Sequence, residues 1–221
     1  MIQVSDWLIE HTQDLRIQLA EHQIPCRSGK HLGSLFVGFP GETLEYLPQE
    51  LLRTVRNLGD FTRVLVLDKW TSNADGRQAV FSRRTPRSRR YDATFIDQGY
   101  CFNAGEWTFP DYPLRGLFAN NCGYEGVTGW DAFEPALTKA EEMDVDLIWS
   151  YATGIPEEWY EGDRDGLHRL VESLYARRTL IRRLISLFRE STRKPFSNWL
   201  DVSICAASRP TSYQELSQAG G

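Results

Sequence analysis

The sequence contains no long apolar run. Of its 221 residues, 41% are hydrophobic, but no segment approaches the roughly 18 consecutive apolar residues that a membrane-spanning helix requires. The first six residues, MIQVSD, lack the basic start and the apolar core of a secretory signal peptide. These absences predict a cytoplasmic protein with no membrane partner.

Cysteine and histidine are sparse and scattered. The chain has four of each, and Cys26, Cys101, Cys122 and Cys205 show none of the Cys-x-x-Cys spacing that is typical of zinc sites and redox motifs. A disulfide framework and a structural zinc site are therefore not expected. Reduced thiols are the ordinary state of cysteine in the cytosol.

The chain also lacks an excess of positive charge. Thirty acidic residues outnumber 25 basic ones and give a formal net charge of −5, which argues against nucleic acid as the main partner. One local exception is a basic stretch between residues 83 and 90. We interpret it either as a solvated hairpin tip or as a contact for an acidic partner or phosphate. Its arginines are Arg83, Arg84, Arg87, Arg89 and Arg90.

The composition is sufficient for one domain, or for one domain with a small appendage. Apolar helical patterns lie between residues 41 and 205. Residues 206–221, rich in Ser, Gln and Gly, are expected to be disordered. Residues 100–132 are rich in aromatic side chains, which argues against disorder in that long connection.

Periodicity predicts an α+β protein that is mainly helical. Residues 1–24 fit either helix or strand, and residues 34–38 fit a short strand or a linker. The arginines of the last predicted helix are expected on a solvated, salt-bridging face. Helices are predicted over residues 47–58, 60–68, 132–143, 146–151 and 162–191, and strands over 79–81 and 91–96.

The most informative stretch runs from Leu65 to Gly99. It is predicted to form a helix, a polar loop and then a β-hairpin. A hairpin brings its two ends together, so Asp75 and Asp97 should lie close in space. Phosphoryl transfer uses two such carboxylates, one to accept the proton of the substrate hydroxyl and one to hold Mg²⁺ against the nucleotide phosphates.

These residues resemble a known family. Asn73-x-Asp75, followed by a hairpin and by Ile96-Asp97-x-Gly99, is similar to the catalytic loop and metal loop of HipA-like kinases. The resemblance covers roughly residues 2–190. Further segments that resemble the family are residues 29–34, 55–58, 102–107 and 124–129.

The resemblance implies the carboxy-terminal lobe of a kinase-like fold, with the hairpin carrying the catalytic and metal loops. It implies ATP and Mg²⁺ as cofactors and a hydroxyl, on a protein substrate, as the acceptor. Asp75 would be the catalytic base and Asp97 the metal ligand. Asn73 would serve the nucleotide site by holding the loop through hydrogen bonds. Arg77 would offset charge on the transferred phosphoryl group, or would pair with a carboxylate.

The sequence departs from the family pattern at the loop. The family has a metal-binding Asn five residues after the catalytic Asp, where this chain has Val80. Gln78 is the nearest amide and is our candidate to replace that Asn. Arg77 stands where the family usually has His.

A larger departure concerns the amino-terminal lobe of a kinase. The chain has no Gly-x-Gly-x-x-Gly loop, and Lys30, the one lysine before the helix that leads into the catalytic loop, is expected in a turn and not on a strand. Residues 1–40 are therefore interpreted as a remnant of that lobe and a linker.

Three functions follow from this reading. The first is a kinase. If the amino-terminal lobe is essential for catalysis, this chain would be inactive without it. The second is a kinase-fold binding module, or pseudokinase fragment, without catalysis. The third is a divalent-metal hydrolase built on Asp75 and Asp97.

The sequence predicts no oligomeric state. Residues 100–132 follow the metal loop and are our candidate for substrate selection.

Overall fold

The structure, a computed structural model, describes residues 1–12, 14–19, 22–38 and 43–200. It has an α+β fold, in which helices dominate the second half and strands the first. The expected disorder of residues 206–221 concerns a part of the chain outside the described residues. No helix in the described part is long and apolar enough to cross a membrane.

Within the described residues, the strands form three antiparallel pairs. Strand β1 (Ile2–Val4) pairs with β4 (Gly29–His31), and β2 (Arg16–Leu19) pairs with β3 (His22–Pro25). A short helix, α1 (Asp6–His11), follows β1. Residues 1–24 thus contain both helix and strand.

The expectation of a turn at Lys30 was wrong. Lys30 lies on β4, where it pairs with Gln3 of β1. Of the two alternatives left open for residues 34–38, a short strand or a linker, the structure shows the linker. Strand β4 begins at Gly29, which has a positive φ of 118°, a conformation that glycine adopts without steric cost.

The predicted hairpin is confirmed. It consists of β5 (Gln78–Ser82) and β6 (Asp92–Ile96), with Gln78 opposite Ile96 and Ser82 opposite Asp92. Leu44 extends this sheet, because its amide and carbonyl both bond to Phe81. Along β5, the buried residues Ala79 and Phe81 alternate with more exposed ones, as in a strand with one buried face.

The core is built around α3 (Asp60–Trp70), the helix that leads into the polar loop. It packs against α4 (Ala136–Glu141) and α7 (Ile181–Glu190). The buried positions of α7 recur at helical spacing, so one face of this helix enters the core. A second cluster lies between α5 (Val145–Ala152) and α6 (Arg164–Arg177). The buried residues of α7 are Ile181, Leu184, Ile185 and Phe188.

The helix predicted over 47–58 is much shorter than expected. Only α2 (Gln49–Leu52) is α-helical, because the chain then turns to meet the hairpin. The amide of Arg56 donates to the carbonyl of Tyr91 at 2.9 Å. The side chain of Asn57 bonds to both backbone groups of Ala93, each at 2.9 Å. These contacts replace the hydrogen bonds that a continued helix would make.

Two other predicted helices are interrupted. The one over 132–143 becomes a 3₁₀ turn (Trp130–Phe133) and α4, since Pro135 has no N–H to continue the ladder. The one over 162–191 is α6, a 3₁₀ turn (Arg178–Leu180) and α7. In that turn the hydroxyl of Thr179 donates to the carbonyl of Ala176 at 3.1 Å and competes with regular helical bonding.

The connection over 100–132 is irregular but packed. It contains short 3₁₀ turns at Ala104–Glu106 and Asn121–Tyr124. Phe118 contacts Phe61 of α3 with ring centroids 4.6 Å apart. The aromatic side chains thus anchor the segment over the start of α3.

Candidate functional site

The last turn of α3 carries a buried carboxylate that sequence analysis missed. Asp68 is 2% exposed. Its two oxygens accept hydrogen bonds from the Nε and Nη2 of Arg77 and from the Nδ2 of Asn73, which lies 3.0 Å away. A buried charge is stable only when it is paired and hydrogen-bonded, and this carboxylate has both kinds of partner.

Arg77 completes this ion pair and is also fully buried at its side chain. Burial by itself lowers the pKa of a guanidinium, but the hydrogen bonds and the negative charge of Asp68 outweigh it, and the pKa of Arg77 is raised. The Nη1 of Arg77 donates to the carbonyls of Ile96 at 2.8 Å and Asp97 at 3.2 Å. Of the two roles expected for Arg77, this structure shows the pairing with a carboxylate.

Asn73 holds the loop in the way the sequence suggested. It is 1% exposed, and while its Nδ2 donates to Asp68, its Oδ1 accepts the backbone N–H of Asp75 at 3.2 Å. This is the local turn that Asn favours. Asn73 is therefore a link between the buried carboxylate and the exposed residue Asp75.

Asp75 lies at the surface of the loop. Its Oδ1 accepts the N–H of Gly76 at 2.7 Å, and its carbonyl accepts the N–H of Gly116 at 3.1 Å. The neighbouring amide of Ala74 donates to the carbonyl of Tyr100 at 2.9 Å. The loop of Asp75 is thus bonded directly to the segment that follows Asp97.

Asp97 lies at the end of β6 and is also exposed. Its φ of 57° is in the left-handed region, which Asp tolerates better than most residues. Its Oδ2 accepts from the Nε2 of Gln78 at 3.2 Å, and its Oδ1 accepts from the N–H of Gly99 at 3.3 Å. The hairpin therefore joins Gln78 and Asp97 at its mouth.

A segment around Gly116 covers the buried network from the other side. Gly116 has a φ of 65°. A Cβ added there would lie 2.8 Å from the Cβ of Asp68 and 3.3 Å from the carbonyl oxygen of Asn73. The amide of Arg77 donates to the carbonyl of Leu117 at 2.9 Å. Only glycine permits this close approach.

Lys69 fixes the same covering segment to α3. It is 2% exposed, and its Nζ donates to the carbonyls of Pro113 at 2.7 Å and Arg115 at 2.5 Å. Burial lowers its pKa to about 7; Asp68 opposes this shift, and Arg177 adds to it. Lys69 is thus a buried cross-link beside the ion pair.

Arg177 corrects the expectation of a solvated arginine face. It is 5% exposed, and its Nη1 donates to the carboxylate of Asp111 at 2.6 Å and to the carbonyl of Phe109 at 3.1 Å. Its Nε donates to the carbonyl of Lys69 at 3.0 Å. This arginine therefore ties the end of α6 to α3 and to the aromatic-rich connection.

A cavity of about 350 Å³ lies against the hairpin. Its apolar wall includes Leu47, Val80 and Ile96, and Gln78 stands at its polar edge. Gln78 and Ile96, which pair at the mouth of the hairpin, both line the cavity, so the cavity lies beside that mouth.

The oxygen donors at this end of the hairpin are carboxylates, the type of ligand that Mg²⁺ takes from proteins. In the described part of the chain, no three His, Cys, Asp or Glu side chains are grouped so that they could hold a metal ion. Mg²⁺ in nucleotide sites uses one or two carboxylates and takes its other ligands from phosphates and water. Asp97 and Asp75 carry such carboxylates, and the Nε2 of Gln78 donates to that of Asp97.

No family model, curated protein or solved structure matches this chain. The resemblance to HipA-like kinases therefore stays a prediction from the sequence motifs.

Proposed function

We propose that this chain is a HipA-like kinase lobe that binds ATP with Mg²⁺ and transfers a phosphoryl group to a protein hydroxyl. The observation that supports it is the buried network of Asp68. Through Asn73 it fixes the loop of Asp75, and through Arg77 it fixes the loop of Asp97. Two exposed carboxylates from distant parts of the sequence are thereby presented on one rigid base.

In this proposal each carboxylate has a separate task. Asp97 is the metal ligand, and Mg²⁺ supplies neutralisation of the phosphate charge. Asp75 orients the acceptor hydroxyl and takes its proton. Gln78 donates to Asp97 and so keeps that carboxylate directed toward the hairpin mouth.

The nucleotide base is assigned to the cavity beside β5. Val80 and Ile96 in its wall offer apolar surface against which a flat ring can pack. In the described structure, no hydrogen bond occupies the backbone amide or carbonyl groups of Glu45 and Tyr46, which also line the cavity. These groups can bond to the donor and acceptor atoms on the edge of adenine.

The test is a thermal-shift titration with ATP, with and without Mg²⁺. A ligand that binds only the folded state at about 100 times its Kd stabilises it by about 2.7 kcal/mol. We expect a metal-dependent rise in Tm that is lost in Asp97→Ala and retained in Asp165→Ala, a control that removes an exposed carboxylate of α6. No shift at millimolar ATP, or an equal shift in Asp97→Ala, would contradict the proposal.

A second candidate is a nucleotide-binding module without catalysis. It is favoured by two features, the buried pairing of Arg77 with Asp68 and the presence of Val80 where the family has a metal-binding Asn. Transfer of the labelled γ-phosphate to the chain itself or to a hydroxyl-rich protein such as casein, lost in Asp75→Asn, separates the two. ATP binding without any transfer would select the module.

A further inference from the structure

The loop at the far end of the hairpin carries a concentrated positive charge. We call this loop the arginine tip. All five of its arginines are exposed. The tip connects Ser82 to Asp92, whereas Gln78 and Asp97 lie at the opposite end of the same hairpin. The four steps along β5 separate the two ends by about 14 Å. The arginine tip comprises Arg83, Arg84, Arg87, Arg89 and Arg90.

Asp92, the carboxylate at the base of the tip, already has arginine partners. Asp92 accepts hydrogen bonds from the Nε of Arg56 at 2.8 Å and from the Nε of Arg84 at 3.0 Å. These bonds, led by that of Arg56, lower the pKa of Asp92 to about 2, so it stays ionised and paired. Asp92 therefore has little capacity to neutralise the rest of the tip.

The tip is also held in one arrangement. The amide of Ser88 donates to the carbonyl of Thr85 at 2.9 Å, and its hydroxyl donates to the carbonyl of Arg90 at 2.9 Å. The guanidinium of Arg83 lies over the ring of Tyr91 at 4.9 Å. A loop that is ordered before binding loses less entropy when a partner docks.

Two arginines of the tip are left for a partner. Arg87 and Arg89 are exposed and have no hydrogen bond or ion pair within the described residues. Arg83 and Arg90 bond only to neutral groups, the hydroxyl of Tyr91 and the carbonyl of Thr54. Four guanidinium groups therefore lack a carboxylate partner.

The charge of the whole chain indicates what kind of anion fits. The net charge is −5 even with these five arginines, so the remaining surface repels a long polyanion. Nucleic acid would extend beyond the tip onto that surface. The ring of Tyr91 beside the tip is buried and offers no aromatic face on which a base could stack. A short acidic peptide segment avoids both problems.

We propose that the arginine tip is a docking site for a short Asp- and Glu-rich segment of a partner protein. Guanidinium groups bind carboxylates through paired hydrogen bonds, and Arg87 and Arg89 supply the groups that are free to do so. The docking site is separate from the hairpin mouth and does not depend on nucleotide binding.

The test is fluorescence anisotropy of labelled decaglutamate titrated with the full chain at about 50 mM salt, where surface charges are weakly screened. The variant Arg87→Gln/Arg89→Gln is compared with Arg164→Gln/Arg169→Gln, which removes the same charge from exposed positions of α6. We expect the tip variant to bind about tenfold more weakly and the α6 variant to bind like the wild type.

Three results would overturn the proposal. Equal weakening in both variants would indicate attraction by overall charge, and no binding of decaglutamate by the wild type would exclude the site. Tighter binding of a ten-nucleotide oligothymidine than of decaglutamate would assign the tip to nucleic acid. The Tm of the tip variant should match that of the wild type, because Arg87 and Arg89 make no contact that stabilises the fold.

Discussion

At the residue scale, Asp68 is the side chain on which the geometry of the site depends. It accepts hydrogen bonds from Asn73 and Arg77, and these two residues reach the loops of Asp75 and Asp97. Removing it would leave the guanidinium of Arg77 buried without a counter-charge. Removal of Asp68 would therefore lower the stability of the fold and displace the two exposed carboxylates, Asp75 and Asp97.

The variant Asp68→Ala should lose about 3–5 kcal/mol of unfolding free energy, the usual cost of an unpaired buried charge. Urea denaturation measures this loss. The matched control is Glu157→Ala, which breaks the exposed pair with Arg164 and should change stability by less than about 1 kcal/mol. If both variants lost the same amount, the buried pair would not have the structural weight assigned to it.

Lys69 predicts a pH dependence of stability. Its pKa is about 7 in the folded chain and about 10.5 in the unfolded chain. Between these values the unfolded state binds more protons, so the unfolding free energy should rise with pH from about 7 to 10.5. Below pH 7 both states hold the proton, and this contribution levels off.

The measurement is the difference in unfolding free energy between the wild type and Lys69→Gln at several pH values from 7 to 10. The amide of Gln can still donate to the carbonyls of Pro113 or Arg115 but does not titrate. The difference should change with pH in favour of the wild type. A constant difference would show that Lys69 stays charged in the fold. Other titrating groups are shared by both chains and cancel.

At the element scale, hydrophobic periodicity predicts the regular helices and strands but not the points at which helices are interrupted. The alternation around Phe81 and the apolar spacing of α3 predicted the hairpin and the helix before it. The early end of α2 is not predictable from local sequence. It depends on hydrogen bonds from Arg56 to Tyr91 and from Asn57 to Ala93, which are distant in the sequence. The break between α6 and α7 likewise follows a local hydroxyl–carbonyl bond that apolar periodicity does not register.

The segment that covers the site should be sensitive to one methyl group. In Gly116→Ala the new Cβ would meet Asp68 at 2.8 Å in a backbone conformation with φ of 65°. Strain and overpacking of this kind cost about 1–3 kcal/mol. The control is Gly105→Ala, where an added Cβ has no neighbour within 4 Å.

Urea midpoints of the two glycine variants provide the comparison. The Gly116 variant should unfold at clearly lower urea, and its Mg²⁺-dependent ATP shift should fall with the displaced Asn73. Similar midpoints would mean that the covering segment moves aside without cost, and that it does not hold the network in place.

At the scale of the whole molecule, the sequence predicts the exposed residues of the candidate site but not its buried ones. Asp75 and Asp97 could be named because turns and a hairpin are local patterns. Asp68, Lys69 and Arg177 were missed, since their burial is produced by segments far away in the chain. The available signal was the pair Asp68-Lys69 within an apolar helix, where charged residues must either reach solvent or find buried partners.

The described residues also divide into a part that contributes to the core and a part that does not. Among the described residues, every buried apolar side chain lies at or after Leu47. Before it, Trp7 is 65% exposed, Leu35 is 90% exposed and Phe36 is 67% exposed. Paired strands with little buried apolar area are marginal by themselves.

Amide hydrogen exchange should reveal this difference directly. Amides of α3 and α7 should exchange only through global unfolding, whereas those of β1 and β4 should exchange by local opening and much faster. Peptides that cover Ile2–Val4 and Gly29–His31 are compared with those that cover α3. Equal protection in dilute solution would contradict the division and would show that the exposed apolar side chains are covered. Protection that grows with protein concentration would identify a second copy of the chain as the cover, because association stabilises the bound surface by mass action.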